Sequence, residues 1–323
     1  MKAVEVSAFG PAEVLQVCER ADPSPGADDV LIQVARSGVN FAEVNARWGR
    51  YPERTPVPPF VPGAEVAGRV VEVGQRVAAF TRGGSYAELA VASAAHTFAL
   101  PDAVDWDQAA ALPIVGVTAH LLLTSVLGGR LAAGERVLIH AAAGGVGTTA
   151  IQIARIAGAG RVLGTAGGPD KVAYAKSLGA DEVFDYRAGD FGPAVLATTG
   201  GRGVDLVLDA VGGEARRQSL AVLAHEGRHV LFGNASAQPE MDVSTRLLRD
   251  KQLTITGFHL TAVRTRHPEL VRAAVNDLLA WLVDGRLRFC VTEVLPLGRA
   301  ADAHRLLETR QSRGKLLLAP SEP

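Results

Sequence analysis

The sequence predicts an α/β protein, a doubly wound parallel sheet that follows an all-β first hundred residues. Three observations predict it. Continuous Val/Leu/Ile runs alternate with helical segments across residues 136–256, which is how strands buried on both faces read. A glycine-rich turn at residues 141–147 joins the first of those strands to a helix. Thirty-five glycines stand against 5% aromatic residues in 323, a composition suited to tight backbone turns.

The elements follow in order. Residues 30–34 (VLIQV) and 66–73 (VAGRVVEV) are β-branched runs bounded by Gly, Pro and Asp. Between them, residues 51–62 carry five prolines. That density forbids helix and ladder pairing, so an ordered loop across one face is expected. Helical spacing starts at Asp105 with Trp106, Ala109, Ala110 and Leu112, and a break is expected at Pro113. A second apolar stretch, 114–127, ends at Gly128-Gly129, a C-cap signal. Strands are then expected at 136–140, 161–164, 182–186, 204–209, 228–232 and 253–256, with helices at 146–156, 169–178 and 214–223. A long helix at 268–283, short strands at 289–294 and 315–318, and a helix at 299–309 complete the chain. This tail is a candidate to return to the first domain.

Lys and Arg number 33 and Asp and Glu 34, so 33 − 34 gives a net charge of −1. That excludes the long-range positive field of a nucleic-acid or acidic-membrane binder. Two cysteines, Cys18 and Cys290, cannot build a disulfide scaffold or a four-Cys zinc site. The first residues alternate like a strand and lack a basic-then-apolar leader, and no uncharged apolar run reaches 18 residues. A soluble, cytoplasmic protein is the expectation.

The glycine turn has the frame Ala142-x-Gly144-x-x-Gly147. Gly144 lets backbone approach a pyrophosphate, and Gly147 lets the helix lie close to the strand. The N–H groups of Gly145, Val146 and Gly147 open that helix and carry its partial positive charge. Strand–turn–helix context makes this a dinucleotide loop rather than an ordinary Gly-rich turn. An acid about 20 residues on would bind ribose hydroxyls. Gly164-Thr165-Ala166-Gly167 stands there instead. Lys171 and Tyr186 offer a cation and a donor for a 2′-phosphate, so the expected cofactor is NADPH. The alternative is that Lys171 is a solvated helix charge and Tyr186 caps a strand.

With these features, the chain resembles the zinc-independent quinone oxidoreductases (zeta-crystallin-like) of the medium-chain dehydrogenase/reductase superfamily. The motifs that carry the resemblance are Gly38-Val39-Asn40-Phe41, Arg50-Tyr51-Pro52, residues 62–68 (PGAEVAG), residues 116–120 (GVTAH), the glycine turn, Phe232-Gly233-Asn234-Ala235 and the ending GKLLL at 314–318. The resemblance implies a Rossmann domain inserted into a GroES-like β-rich catalytic domain. The expected bounds are 1–118 and 261–323 for the catalytic domain and 119–260 for the NADPH-binding domain. It also implies a homodimer, and it adds Arg310 to Lys171 and Tyr186 at the 2′-phosphate. Zinc-dependent relatives hold a metal with a Cys and a Gly-His-Glu motif; the matching positions here are Asn40 and Ala64. An amide and a methyl group cannot replace those ligands. His225-Glu226-Gly227-Arg228-His229 matches H-E-x-x-H, but Gly227 and the following VLFG predict a helix end, a turn at Glu226-Gly227 and a strand start, not one helix.

Hydride transfer to a conjugated carbonyl builds negative charge on an oxygen, which needs donors placed beforehand. Asn40 and Tyr51 are the candidates, with Tyr51 also able to deliver a proton. Thr118, Thr165, Gly233, Asn234 and Phe258 are candidate cofactor contacts beside the glycine turn, since ligands gather at strand carboxyl ends. Asn45 stands where several relatives have Tyr, and residues 72–76 form a tight connection where relatives carry a longer loop. The leading expectation is reduction of quinones by NADPH. An enone or enoyl reductase of a biosynthetic pathway and a non-catalytic, crystallin-like NADPH-binding protein are the alternatives.

Overall fold

The structure is a computed structural model, and it describes residues 1–51, 57–239 and 241–320. The core of the proline-rich segment, 52–56, therefore lies outside the described residues. The chain forms two compact units, residues 1–116 with 275–323, and residues 117–274.

In the first unit, β1 (Lys2–Val6) pairs with β2 (Leu15–Glu19). Strand β3 (Asp29–Val39) is followed by helix α1 (Phe41–Arg47), then β4 (Glu65–Val70), β5 (Arg76–Phe80), β6 (Leu89–Ser93), β7 (Thr97–Ala99) and helix α2 (Trp106–Ala111). Helix α1 corrects the all-β expectation for this region. It is short, but Asn40 precedes it and the Glu43 carboxylate accepts from the Asn40 backbone N–H at 2.7 Å, a start signal spaced N-x-x-E. The strand expected to run to Val73 stops at Val70. Gly74 takes φ +67° and its N–H closes on Val70 O, so the 72–76 connection is a hairpin turn. Pro113 does not break the chain into separate helices. It sits in a π turn, Leu112–Gly116, where the wider spacing accommodates a residue with no N–H.

The second unit begins with α3 (Val117–Thr124) and alternates strictly: β8 (Arg136–Ile139), α4 (Gly145–Ile156), β9 (Arg161–Ala166), α5 (Pro169–Ser177), β10 (Glu182–Asp185), α6 (Gly192–Thr198), β11 (Val204–Asp209), α7 (Gly213–Val222), β12 (Leu223–Leu231), α8 (Thr245–Lys251), β13 (Thr254–Gly257) and α9 (Leu260–Arg266). Helix α10 (Pro268–Val283) leads to β14 (Val291–Pro296), α11 (Ala300–Glu308) and β15 (Lys315–Ala319). The helical run Trp106–Thr124 is long and apolar enough to cross a membrane by composition, yet 78% of its most apolar window is buried, as in a core helix.

The second unit's sheet is parallel in the order β10-β9-β8-β11-β12-β13. Counted within the unit this is 3-2-1-4-5-6, with its switch point between β8 and β11. Leu138, Leu163, Val204, Val207 and Val222 fill its core. Its central strands β8, β9 and β11 are buried on both faces, which is why they read as unbroken aliphatic runs. Edge strand β13 leaves one side unpaired among the described residues.

The first unit's larger sheet runs β14-β15-β3-β4-β5-β7, with β6 also on β3. The end of the chain thus returns to its beginning, with Leu316, Leu317 and Leu318 of β15 opposite Val39, Gly38 and Ser37. A reciprocal pair of hydrogen bonds joins Gln108 to the Phe289 backbone, at 3.0 and 2.7 Å.

The HEGRH segment departs from its expected shape. It is not a helix end and turn but lies wholly within strand β12. The irregularity is a bulge, with Glu226 at φ +61° and a register shift between Val204 and Leu206 opposite it. His225 is exposed, while His229 is buried beside Asp209 at 3.5 Å. Residues four apart on a strand do not make the shared helical face that a zincin pair needs.

Candidate active site

The glycine turn is built around one close approach. Gly144 caps α4 with no side-chain bond of its own, so the first N–H groups of the helix, from Gly145, Val146 and Gly147, are not covered by a capping side chain. A Cβ on Gly147 would stand 2.7 Å from Ala142 Cα, closer than packed atoms allow. Ala142 is itself buried and tight, since a Cβ on Gly164 would come 2.7 Å from its methyl. Helix α4 therefore lies hard against the end of β8, at the sheet's switch point. Twelve residues of helix direct their positive end there. This cradle fits a pyrophosphate at the N–H groups of Gly145 to Gly147, the Gly144 N–H being taken by Ala141 O at 2.8 Å.

The remaining candidates of this unit are set by the same carboxyl edge. Gly233 follows β12 and packs on the Ala210 carbonyl, where a Cβ would stand at 2.7 Å. Its own carbonyl accepts from Arg216 at 3.0 Å, and Arg216 is paired with buried Asp209 at 2.8 Å. Asn234 donates to Gln238 O and accepts from Ser236 Oγ, both at 3.1 Å. Its amide thus shapes its own loop. Phe258 follows β13, buried. Thr118 lies buried in α3. Thr165 is in the core, its hydroxyl 2.8 Å from His140 Nδ1, while His140 Nε2 is 2.6 Å from Ser219 Oγ. Burial holds the His140 pKa down to about 4, so the imidazole is neutral and braces the ends of β8 and β9.

At the end of β9, Gly168 adopts φ +92° and leads into α5, whose third residue is Lys171. Tyr186 lies over Gly167; a Cβ there would meet its hydroxyl at 2.5 Å. The Asp185 carboxylate accepts from the N–H groups of Gly168 and Arg187, each at 2.9 Å, which holds its pKa below the usual range. Arg187 is a residue the sequence reading missed. Its guanidinium borders Gly167 and Gly168, within 3.1 and 3.4 Å of a Cβ placed there. Its adjacency to Tyr186 was the available signal.

In the first unit, Asn40 ends β3 and starts α1. Its Nδ2 donates to Glu65 Oε1 at 2.9 Å and its Oδ1 accepts from Lys315 Nζ at 2.5 Å. Glu43, fully inside, accepts from Asn40 N–H and from Ala64 N–H. Desolvation pushes its pKa up to about 7. The Tyr51 hydroxyl accepts from Asn45 Nδ2 at 3.1 Å, and Asn45 Oδ1 accepts from Arg50 at 3.2 Å. Asn45 thus orients the phenol. Arg310 follows α11 in the same unit, at φ +54°. Among the described residues no cluster of three or more His, Cys, Asp or Glu side chains is arranged to hold a metal.

A dinucleotide cradle on a 3-2-1-4-5-6 sheet, in a chain whose two ends build a separate β-rich unit, defines a medium-chain dehydrogenase/reductase. Residues 26–102 match the alcohol dehydrogenase GroES-like domain and residues 145–276 the zinc-binding dehydrogenase family. The chain is 34% identical to a quinone oxidoreductase of Pseudomonas aeruginosa over 99% of both proteins. Over 98% of its length it is 33% identical to a segment, 15% of the whole, of a phenolphthiocerol/phthiocerol polyketide synthase of Mycobacterium tuberculosis. The solved structure of Escherichia coli quinone oxidoreductase complexed with NADPH matches it with a TM-score of 0.91 and 32% identity, covering 99% of this chain and 100% of that one. The chain belongs to the quinone oxidoreductase family of that superfamily, and it is an oxidoreductase that uses a nicotinamide cofactor.

Proposed function

We propose that this enzyme takes hydride from NADPH and delivers it, without zinc, to quinones or similar conjugated carbonyls. The observation that carries the cofactor reading is the end of β9. Residues 164–168 carry no acid to take a ribose 2′-hydroxyl, and the neighbouring Asp185 carboxylate accepts from the Gly168 and Arg187 N–H groups, while Tyr186 and Arg187 border Gly167-Gly168 and Lys171 lies in the first turn of α5. A 2′-phosphate needs a cation and donors in such a place. Family resemblance names Arg310 as a further candidate for that phosphate. The NADPH complex of the Escherichia coli relative supports the same choice.

The dinucleotide, when bound, supplies the hydride. The chain supplies the rest. The N–H groups at the start of α4 hold the pyrophosphate. Asn40 donates a hydrogen bond to the acceptor's carbonyl oxygen as charge grows on it. Tyr51, its oxygen already accepting from Asn45, keeps its own proton available for that oxygen. Zinc is not needed in this scheme. Asn40 and Ala64 occupy the ligand positions of zinc-dependent relatives, and the Asn40 amide is already engaged by Lys315 and Glu65. A homodimer through edge strand β13 and a cytoplasmic location belong to the same proposal.

The polyketide synthase segment supports a second reading, reduction of an enone or enoyl thioester. Steady-state rates with NADPH on a 1,4-quinone, a 2-enone and an enoyl thioester separate the two. The proposal expects the quinone to have the highest kcat/KM. An enoyl thioester at least tenfold better would transfer the assignment to the second reading. Tight NADPH binding without turnover on any acceptor would favour the crystallin-like alternative.

A further inference from the structure

A buried charge network lies behind Asn40. Lys315 is 2% exposed and Glu65 is fully buried. The ammonium has three protons. They go to Val39 O at 3.0 Å, Asn40 Oδ1 at 2.5 Å and Glu65 Oε1 at 2.6 Å. Glu65 Oε1 also accepts from Asn40 Nδ2 at 2.9 Å, and its Oε2 accepts from the backbone N–H of Ile114 at 2.7 Å. Gly38 makes room, since a Cβ there would stand 2.5 Å from the Glu65 carboxyl carbon. The five participants come from four places, β3 and its end, β4, the π turn and β15, so the network is a product of the fold alone.

This arrangement fixes the Asn40 amide in one sense. Reversed, its NH2 would face an ammonium and its carbonyl a carboxylate, and both contacts would be repulsive. In the observed sense one Nδ2 proton is held by Glu65, and the other has no partner among the described residues. Asn40 is only half-buried, unlike the two charges behind it. A positive charge on the amide oxygen draws electron density from the nitrogen and strengthens the remaining N–H as a donor.

We propose that Lys315 and Glu65 are positioning residues for hydride transfer. They lock the Asn40 amide so that one N–H is presented to the substrate's carbonyl oxygen, and the Lys315 ammonium polarises that donor. This rests on the reading of Asn40 as the oxyanion donor. The alternative is an ion pair that only ties β15 to β4, which would affect stability but not the donor strength of Asn40.

The test is a double-variant cycle on kcat for NADPH-dependent reduction of 1,4-benzoquinone, with NADPH Kd measured alongside. Asn40→Ala should lower kcat about 100-fold or more, the loss typical of one oxyanion donor. Lys315→Met should lower it about 30-fold, with NADPH Kd changed less than about threefold. In the Asn40→Ala background, Lys315→Met should add less than about threefold, because its effect passes through Asn40. Folded Lys315→Met protein with kcat within threefold of the parent would overturn the proposal, as would an equal loss in both backgrounds. If Asn40→Ala keeps full kcat, the Asn40 reading itself fails, and the positioning role falls with it. Should Lys315→Met not fold, the charge-neutral pair Lys315→Met/Glu65→Gln is read against the same limits.

Discussion

The two units hold their candidate groups by opposite means. In the second, the cofactor cradle is backbone. Gly145, Val146 and Gly147 contribute N–H groups, Gly147 permits the close approach, and no charged side chain lies in the turn itself. In the first, the candidate donor is a side chain held by other side chains, with Asn40, Glu65 and Lys315 contributed by three strands or their ends. A backbone cradle tolerates little change in shape but much change in charge. A side-chain cradle behaves in the reverse way.

The largest effect expected from this contrast is at Gly147. Gly147→Val should weaken NADPH binding at least about 100-fold, roughly 2.7 kcal/mol, because its Cβ would press on Ala142 at 2.7 Å. Fluorescence titration of protein with unchanged circular dichroism measures it, and unchanged affinity would break the steric argument. Next is Gly38→Ala. Its methyl would displace the Glu65 carboxylate, so urea unfolding should show a loss of about 2 kcal/mol or more, with overpacking and a disturbed buried pair both acting. NADPH affinity in that variant should stay near the parent value.

A smaller effect sharpens the cofactor side. Arg187→Ala should raise the NADPH Kd about tenfold, about 1.4 kcal/mol, and leave that for NADH unchanged. Equal losses for both cofactors would remove Arg187 from the 2′-phosphate site.

The smallest effects are in pH dependence. His140 is held down to about 4 and His304 to about 3, both chiefly by burial. Unfolded, each takes a proton near its ordinary 6.5. Between those limits the unfolded chain binds more protons, so stability falls as pH drops through 6.5 toward 4. Glu43 has the opposite sign. Its pKa rises from 4.5 to about 7 on folding, so the folded chain binds the extra proton and stability falls as pH rises from 4.5 to 7. Urea midpoints at pH 5 and 7 should therefore fall less toward pH 7 in Glu43→Gln than in the parent. The same slope in both would mean that Glu43 is already ionised in the folded protein.

The contrast also explains what could be read from the sequence. The glycine turn was legible because its constraint is local: a residue without Cβ is needed at fixed spacing between a strand and a helix. The parallel sheet was legible because strands covered on both faces lose their polar positions. The network behind Asn40 was not. Lys315 and Glu65 lie 250 residues apart, and nothing in the local pattern of either announces the other. Helix α1 was missed because seven residues carry too little periodicity, although the Asn40–Glu43 spacing marked its start. The register of β12 was missed because a bulge at Glu226 looks like a turn in the sequence. Thr165, named for its position at a strand end, proved to have its hydroxyl turned to His140, an orientation that strand spacing alone did not supply.

The most direct test of the whole account is NADPH oxidation at 340 nm with 1,4-benzoquinone, before and after exhaustive chelation, with zinc content measured in the same samples. The account predicts unchanged turnover in protein containing far less than one zinc per chain, and at least tenfold higher kcat/KM with NADPH than with NADH. Turnover lost on chelation and restored by zinc would contradict it.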